Sequence, residues 1–76
     1  MNEAEATMMF GKEYLKGKNF QEEIRKAIRY CLKNQLLSQE DVDRAREAGR
    51  TAMIKVSNKA LANYIRALYL ESKKQA

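Results

Sequence analysis

The chain has 76 residues, of which 45% are apolar, and a formal net charge of +5. That length allows one domain, residues 1–76, with one small core, and the apolar share excludes disorder throughout. Because proline is absent, glycine occurs only three times and strong helix formers dominate, the composition disfavours turn-rich sandwiches and barrels and predicts an all-α fold, a small bundle of about four helices.

The first predicted helix runs from about Asn2 to Lys16. Asn2 is a typical N-cap, and Glu3 and Glu5 place negative charge at the positive end of the helix dipole. Gly17 fits the left-handed position that closes many helices. Local signals therefore predict both ends of this helix.

The second predicted helix has the clearest buried face. Asn19 is its N-cap, and Glu22 follows three residues later, as in a capping box. Apolar residues then recur at the spacing of a buried stripe. The stripe consists of Phe20, Ile24, Ala27, Ile28 and Cys31. Lys26, Arg29 and Lys33 fall on the opposite side and form a secondary basic surface, which either meets phosphates or is a solvated helix face.

The third predicted helix begins at Ser38, which forms a variant of the capping box with Asp41. Its end has two interpretations. Gly49 could terminate it, as glycine often does, but small and apolar residues keep one helical phase across this position. The series consists of Val42, Ala45, Gly49, Ala52, Met53 and Val56. We therefore favour a helix that continues through Gly49 to about Ile54.

The fourth predicted helix begins near Ser57 and ends near Lys74. At 100° per residue, its apolar stripe is out of phase with the preceding series by roughly a quarter turn or more. This second stripe consists of Leu61, Tyr64, Ile65 and Leu68. Since one straight helix could not bury both stripes against one core, the phase break predicts a turn near Lys55–Ser57.

Positive charge concentrates around the last helix. Residues 50–76 carry a net charge of +5, whereas residues 38–49 are acidic. Side chains opposite Leu61 on the helical wheel, and those in the first turn, are of the types that contact phosphates and base edges. The predicted nucleic-acid-binding residues are Lys55, Asn58, Lys59, Asn63, Arg66 and Lys73. A solvated polar face is the alternative, because exposed helices commonly carry Lys and Arg.

Val56 and Ser57 match the Val-Ser pair that often opens the recognition helix of helix-turn-helix proteins, and Leu61 lies at a buried position of that motif. On these residues, the stretch 50–68 resembles a helix-turn-helix, although Lys55 stands where the turn of that family has glycine. The resemblance implies that the third and fourth helices form the motif. It also implies a DNA-binding protein that reads its target with the last helix.

Two further features indicate protein contacts. Leu70 lies among the basic side chains of the last helix, and Tyr69 lies at the edge of its core face. One face of the first helix cannot bury Met8, Met9 and Phe10 together. We therefore expect Tyr69 and Leu70 to contact a partner and the first helix to pack on a second chain in a homodimer, although single exposed leucines are common.

Catalysis lacks its usual groups. The chain has no histidine and no glycine-rich phosphate loop, so we expect neither an enzyme nor a cofactor. Cys31 could be a reactive thiol, but its place on an apolar stripe favours a small core residue. The acidic residues of the third helix could bind a divalent cation, but capping and solvation explain them better, and we expect no metal site. These residues are Glu40, Asp41, Asp43 and Glu47.

The sequence as a whole favours a small non-enzymatic nucleic-acid-binding protein, a DNA-binding regulator that uses the basic face of the last helix and prefers duplex DNA to RNA. The alternative is a helical protein-interaction module, an adaptor or inhibitor, that binds an acidic protein through the same face. The single cysteine, the acidic first residues and the lack of a long apolar run predict a cytoplasmic protein. Binding to a membrane surface is disfavoured, because the chain has no Trp and only two Phe.

Overall fold

Four α-helices make up the computed structural model, which describes residues 1–75. They are α1 (Glu3–Leu15), α2 (Phe20–Lys33), α3 (Gln39–Ala48) and α4 (Arg50–Lys74). No β-strand occurs within residues 1–75, so the predicted all-α fold of about four helices is confirmed. None of the helices in this part of the chain combines the length and the apolar character that crossing a lipid bilayer requires.

Side-chain caps begin the first three helices where the sequence predicts them. Asn2 and Asn19 each accept a hydrogen bond from the backbone N–H three residues later, at 2.8 and 3.0 Å. Ser38 and Asp41 form a reciprocal capping box at the start of α3. Gly17 follows α1 with φ +73°, the left-handed conformation that glycine adopts readily.

The long helix α4 is the centre of the fold, because α1, α2 and α3 each pack against it. Ala27 and Cys31 of α2 meet Ala60 of α4 in the core, where each is at most 2% exposed. These small side chains let α2 and α4 approach closely, and Cys31 Sγ lies 3.6 Å from the carbonyl oxygen of Ala60. Cys31 is 1% exposed and belongs to the core, and this burial raises the pKa of its thiol.

Helix α1 packs on a different side of α4. Gly11 faces Ile65 so closely that a β-carbon on Gly11 would lie 3.0 Å from Ile65 Cγ2. The rings of Phe10 and Tyr69 lie 5.7 Å apart in the same interface. The buried residues Ala60 and Ile65 are about 140° apart around α4, which is therefore covered from two directions.

The buried face of α2 differs from the prediction at two positions. Phe20 is 48% exposed, because at the first position of α2 it has no preceding helical turn beside it. Glu23 is only 3% exposed, and its carboxylate accepts hydrogen bonds from the Tyr14 hydroxyl at 2.7 Å and Lys26 Nζ at 3.1 Å. The bond from Tyr14, together with Lys26, holds the pKa of Glu23 below its ordinary value despite burial. This polar network ties α1 to α2.

The break between α3 and α4 lies at Gly49, so the predicted continuation of the third helix to Ile54 is wrong. Gly49 has φ +115° and ψ −174°, a backbone conformation that L-residues rarely adopt. The predicted turn at Lys55–Ser57 is wrong as well, because α4 is continuous through these residues. Ser57 lies inside the helix and does not cap it.

Residues 50–68 consequently form one helix and not a helix-turn-helix. The apolar phase changes along α4 because its neighbours change, and not because the chain turns. The side that carries Ala60 faces α2, while the side that carries Ile65 faces α1. A long helix with neighbours on two sides can bury two stripes without a turn.

Candidate functional site

The exposed face of α4 carries four cationic side chains, which we call the basic stripe. It consists of Lys55, Lys59, Arg66 and Lys73, all of which are exposed. At 100° per residue the four side chains lie within about 40° of one another around α4. At 1.5 Å per residue the stripe is about 27 Å long. The structure therefore retains the cationic part of the predicted nucleic-acid-binding set on one continuous face.

The members of the basic stripe differ in their intramolecular partners. Arg66 Nη2 lies 3.4 Å from Glu3 Oε1 of α1, so this cation is partly neutralised. Lys73 Nζ lies 5.3 Å from the centre of the Tyr69 ring. Within residues 1–75, Lys55, Lys59 and Lys73 form no ion pair. These three lysines are the free charges of the stripe.

The two asparagines of the predicted set lie outside the basic stripe. Asn63 is half-buried, and its side-chain amide donates a hydrogen bond to the Lys59 carbonyl at 3.0 Å. Asn58 lines the groove between α1 and α4 beside Met8 and Leu61. Because α4 begins at Arg50 and not near Ser57, Asn58 and Lys59 lie well inside the helix and not in its first turn, where the predicted start had put them.

A groove of about 430 Å³ runs between α3 and α4 beside the basic stripe. Its apolar lining consists of Leu37, Ala45, Ala48, Ala52 and Val56. Arg44, Lys55 and Lys59 line it too, and Asp41 is the one acidic residue among the described residues of the lining. Hydrogen bonds with Ser38 hold the pKa of Asp41 below its ordinary value, and the charges of Arg44 and Lys59 lower it further. The groove is thus apolar in lining and mainly cationic in charge.

The predicted secondary basic surface is divided by the structure. Lys26 pairs with the buried Glu23 and belongs to the polar network of α1 and α2. Arg29 instead lines a cleft between α2 and α3, together with Arg25 and Arg46. Arg25 and Arg46 were not among the predicted site residues. The i,i+4 spacing of Arg25 and Arg29 is a signal that could have found the first, but only the packing of α3 on α2 reveals Arg46.

The predicted partner contacts differ in exposure. Tyr69 is half-buried against Phe10, whereas Leu70 is 39% exposed beside the basic stripe. Met8 and Met9 of α1 are 64% and 57% exposed. Leu70 and the two methionines are therefore accessible to a partner, and the homodimer stays a prediction.

Three of the four acidic residues of α3 have structural partners. Asp41 belongs to the capping box, Glu40 pairs with Arg44 at 2.7 Å, and Asp43 lies 3.7 Å from Arg46. No group of three or more His, Cys, Asp or Glu side chains within residues 1–75 could hold a metal ion. Capping and ion pairing account for the placement of these three carboxylates.

Comparison with known proteins adds no relative: no protein-family model, curated protein or solved structure matches the chain.

Proposed function

We propose that this protein is a non-enzymatic nucleic-acid-binding protein that contacts the phosphate backbone through the basic stripe. One observation carries the proposal: Lys55, Lys59 and Lys73 lie along one exposed helix face and have no intramolecular ion pair within residues 1–75. Along the axis of duplex DNA a length of about 27 Å spans about eight base pairs, so a straight row of four cations reaches only some of the phosphates within that span. A straight row of cations on one rigid helix favours the stiff, uniform backbone of duplex DNA over irregularly folded RNA as the ligand.

The mode of contact differs from that of a helix-turn-helix protein. Helices α1 and α3 flank the basic stripe, as Glu3 beside Arg66 and Arg44 beside Lys59 show. These neighbours restrict how deeply α4 enters a major groove, and the Asn63 amide already donates to the backbone of its own helix. Phosphate contacts therefore dominate over base contacts, and binding has little sequence specificity.

An acidic protein partner is the second candidate function. Leu70 is 39% exposed within the face that carries the stripe, and the apolar groove between α3 and α4 adjoins Lys55 and Lys59. An amphipathic helix with acidic flanks would place its apolar side chains in the groove and its carboxylates against these lysines. A phosphate backbone makes no favourable contact with an apolar lining. The apolar lining of the groove is therefore the feature that favours a protein partner.

The salt dependence of binding tests the proposal. Fluorescently labelled duplex and single-stranded DNA are titrated with the protein at two salt concentrations. For duplex DNA we expect measurable binding at low salt and a slope of log K against log salt of about −3, because each phosphate contact contributes about −0.9. No binding of either DNA at low salt would contradict the proposal and leave the acidic protein partner as the remaining candidate.

A further inference from the structure

Three arginines from two helices converge on one cleft away from the basic stripe. The cleft has a volume of about 250 Å³ and lies between α2 and α3. Arg25 and Arg29 are four residues apart and therefore share one face of α2, while Arg46 reaches the cleft from α3. All three side chains are exposed, so a ligand can reach them from solvent.

The positive charge of this cleft has little compensation. Arg25 and Arg29 form no ion pair within residues 1–75, and Arg46 forms one exposed ion pair, with Asp43 at 3.7 Å. No acidic residue of the described chain lines the cleft. Three like charges around one cavity repel one another, and a bound anion would relieve that repulsion.

The rest of the lining strengthens the attraction for an anion. Ile28, Leu32 and Val42 form the apolar wall of the cleft, and Val42 is only 1% exposed. An apolar wall lowers the local dielectric and focuses the field of nearby charges. Guanidinium groups also bind phosphate oxygens in a bidentate manner, whereas the lysines of the basic stripe act as hydrated point charges.

We propose that the Arg25–Arg29–Arg46 cleft is a second anion site, which binds one or two linked phosphate groups of a small ligand. Its volume is smaller than the roughly 300–1,000 Å³ of pockets that enclose a whole drug-sized ligand, so the phosphate end is held and the remainder projects into solvent. The site is independent of the basic stripe, because Arg46 and Gln39 line this flank of α3 while Asp41 and Arg44 line the other.

Titration of the full chain with inorganic pyrophosphate tests the site, with the arginine Nε–Hε NMR signals as the readout. We expect saturable shifts confined to Arg25, Arg29 and Arg46. The double variant Arg25→Gln/Arg29→Gln should weaken binding about tenfold or more, and Arg46→Gln should weaken it independently from α3. The control Lys12→Gln/Lys16→Gln removes the same charge from α1 and the residue that follows it, and should leave the affinity within about twofold.

Two competitors distinguish the source of the phosphate. Displacement of pyrophosphate by adenosine diphosphate would identify a free nucleotide as the kind of ligand, and displacement by duplex DNA with hydroxyl ends would identify a nucleic-acid backbone. Non-saturable shifts, or equal losses in the arginine variants and the lysine control, would overturn the proposal. The variant Lys55→Gln/Lys59→Gln should leave pyrophosphate binding intact. Pyrophosphate binding therefore tests the cleft, and DNA binding tests the basic stripe, so that either proposal can fail without the other.

Discussion

Arg66 and Glu3, which are 63 residues apart in the chain, form an ion pair between α4 and α1 with an Nη2–Oε1 distance of 3.4 Å. Both side chains are more than half exposed, so the pair contributes little to stability. Its effect is on the surface charge, since a carboxylate now lies beside one of the four cations of the basic stripe. Glu3 therefore opposes the binding of an anion at this point of the stripe.

Removal of that carboxylate should strengthen nucleic-acid binding. We expect Glu3→Gln to raise the affinity for duplex DNA about two- to fivefold, because Arg66 loses its competing partner, and to leave the free energy of unfolding nearly unchanged. Glu13→Gln is the matched control, since it removes the same charge from an exposed ion pair of α1, with Lys16 at 3.0 Å. Equal affinity gains in both variants would show that only net charge matters.

The buried carboxylate of Glu23 should make stability depend on acidic pH. Its pKa is lowered in the folded state, so it stabilises the fold above the ordinary glutamate pKa of about 4.3, and this contribution is lost as pH falls through the folded-state value. Because the hydrogen bond from Tyr14 is the main cause, Tyr14→Phe should lower the free energy of unfolding at pH 7 by about 1–3 kcal/mol and flatten its acid limb.

Urea unfolding at several pH values measures both effects of the Tyr14 substitution. Tyr69→Phe is the control, because the Tyr69 hydroxyl makes no hydrogen bond within residues 1–75. If Tyr14→Phe matches the wild type at pH 7 and keeps the same acid limb, the account of the Glu23 network is incorrect.

The conformation of Gly49 should make this position intolerant of L-residues. A β-carbon at Gly49 would meet no atom within 4 Å, so strain at φ +115° is the only cost of a side chain. We expect Gly49→Ala to lower the free energy of unfolding by about 1–3 kcal/mol, measured by urea unfolding. Chemical synthesis with d-alanine at this position, which accepts positive φ, should restore stability. A stable Gly49→Ala variant with increased helix content would indicate that α3 and α4 can merge into one helix.

Local signals predicted most of the secondary structure, because capping depends on residues three or four apart. The side chains of Asn2, Asn19 and Ser38 accept the hydrogen bonds that their positions imply. The prediction was wrong at Gly49. The glycine indicated the end of the third helix, but the apolar residues that keep one helical phase across it indicated a continuation, and the continuation was preferred. The phase break between the two apolar stripes has two possible causes, a turn of the chain or a change of packing partner. Only the positions of α1 and α2 around α4 decide between them.

The candidate site was predictable to the extent that it lies on one helix. Helical spacing alone placed Lys59, Arg66 and Lys73 on one face of the last helix, whereas Lys55 was predicted to lie in the turn before it. Contacts between helices were beyond such reasoning, since the partner of Arg66 is Glu3 of α1 and the cleft of Arg29 is completed by Arg46 of α3. Side chains from distant parts of the chain meet only through the tertiary arrangement.

The affinity of Lys55→Gln/Lys59→Gln for duplex DNA, measured as a function of salt, tests the central claim most directly. Lys12→Gln/Lys16→Gln controls for net charge, with two lysines also four residues apart; Lys16 pairs with Glu13 at 3.0 Å, whereas Lys55 and Lys59 have no ion pair within residues 1–75. We predict that the α4 variant binds about tenfold or more weakly and that the magnitude of its salt slope falls by about 2, while the α1 variant changes little. Equal affinities and slopes for the two variants would contradict a role of the basic stripe in binding.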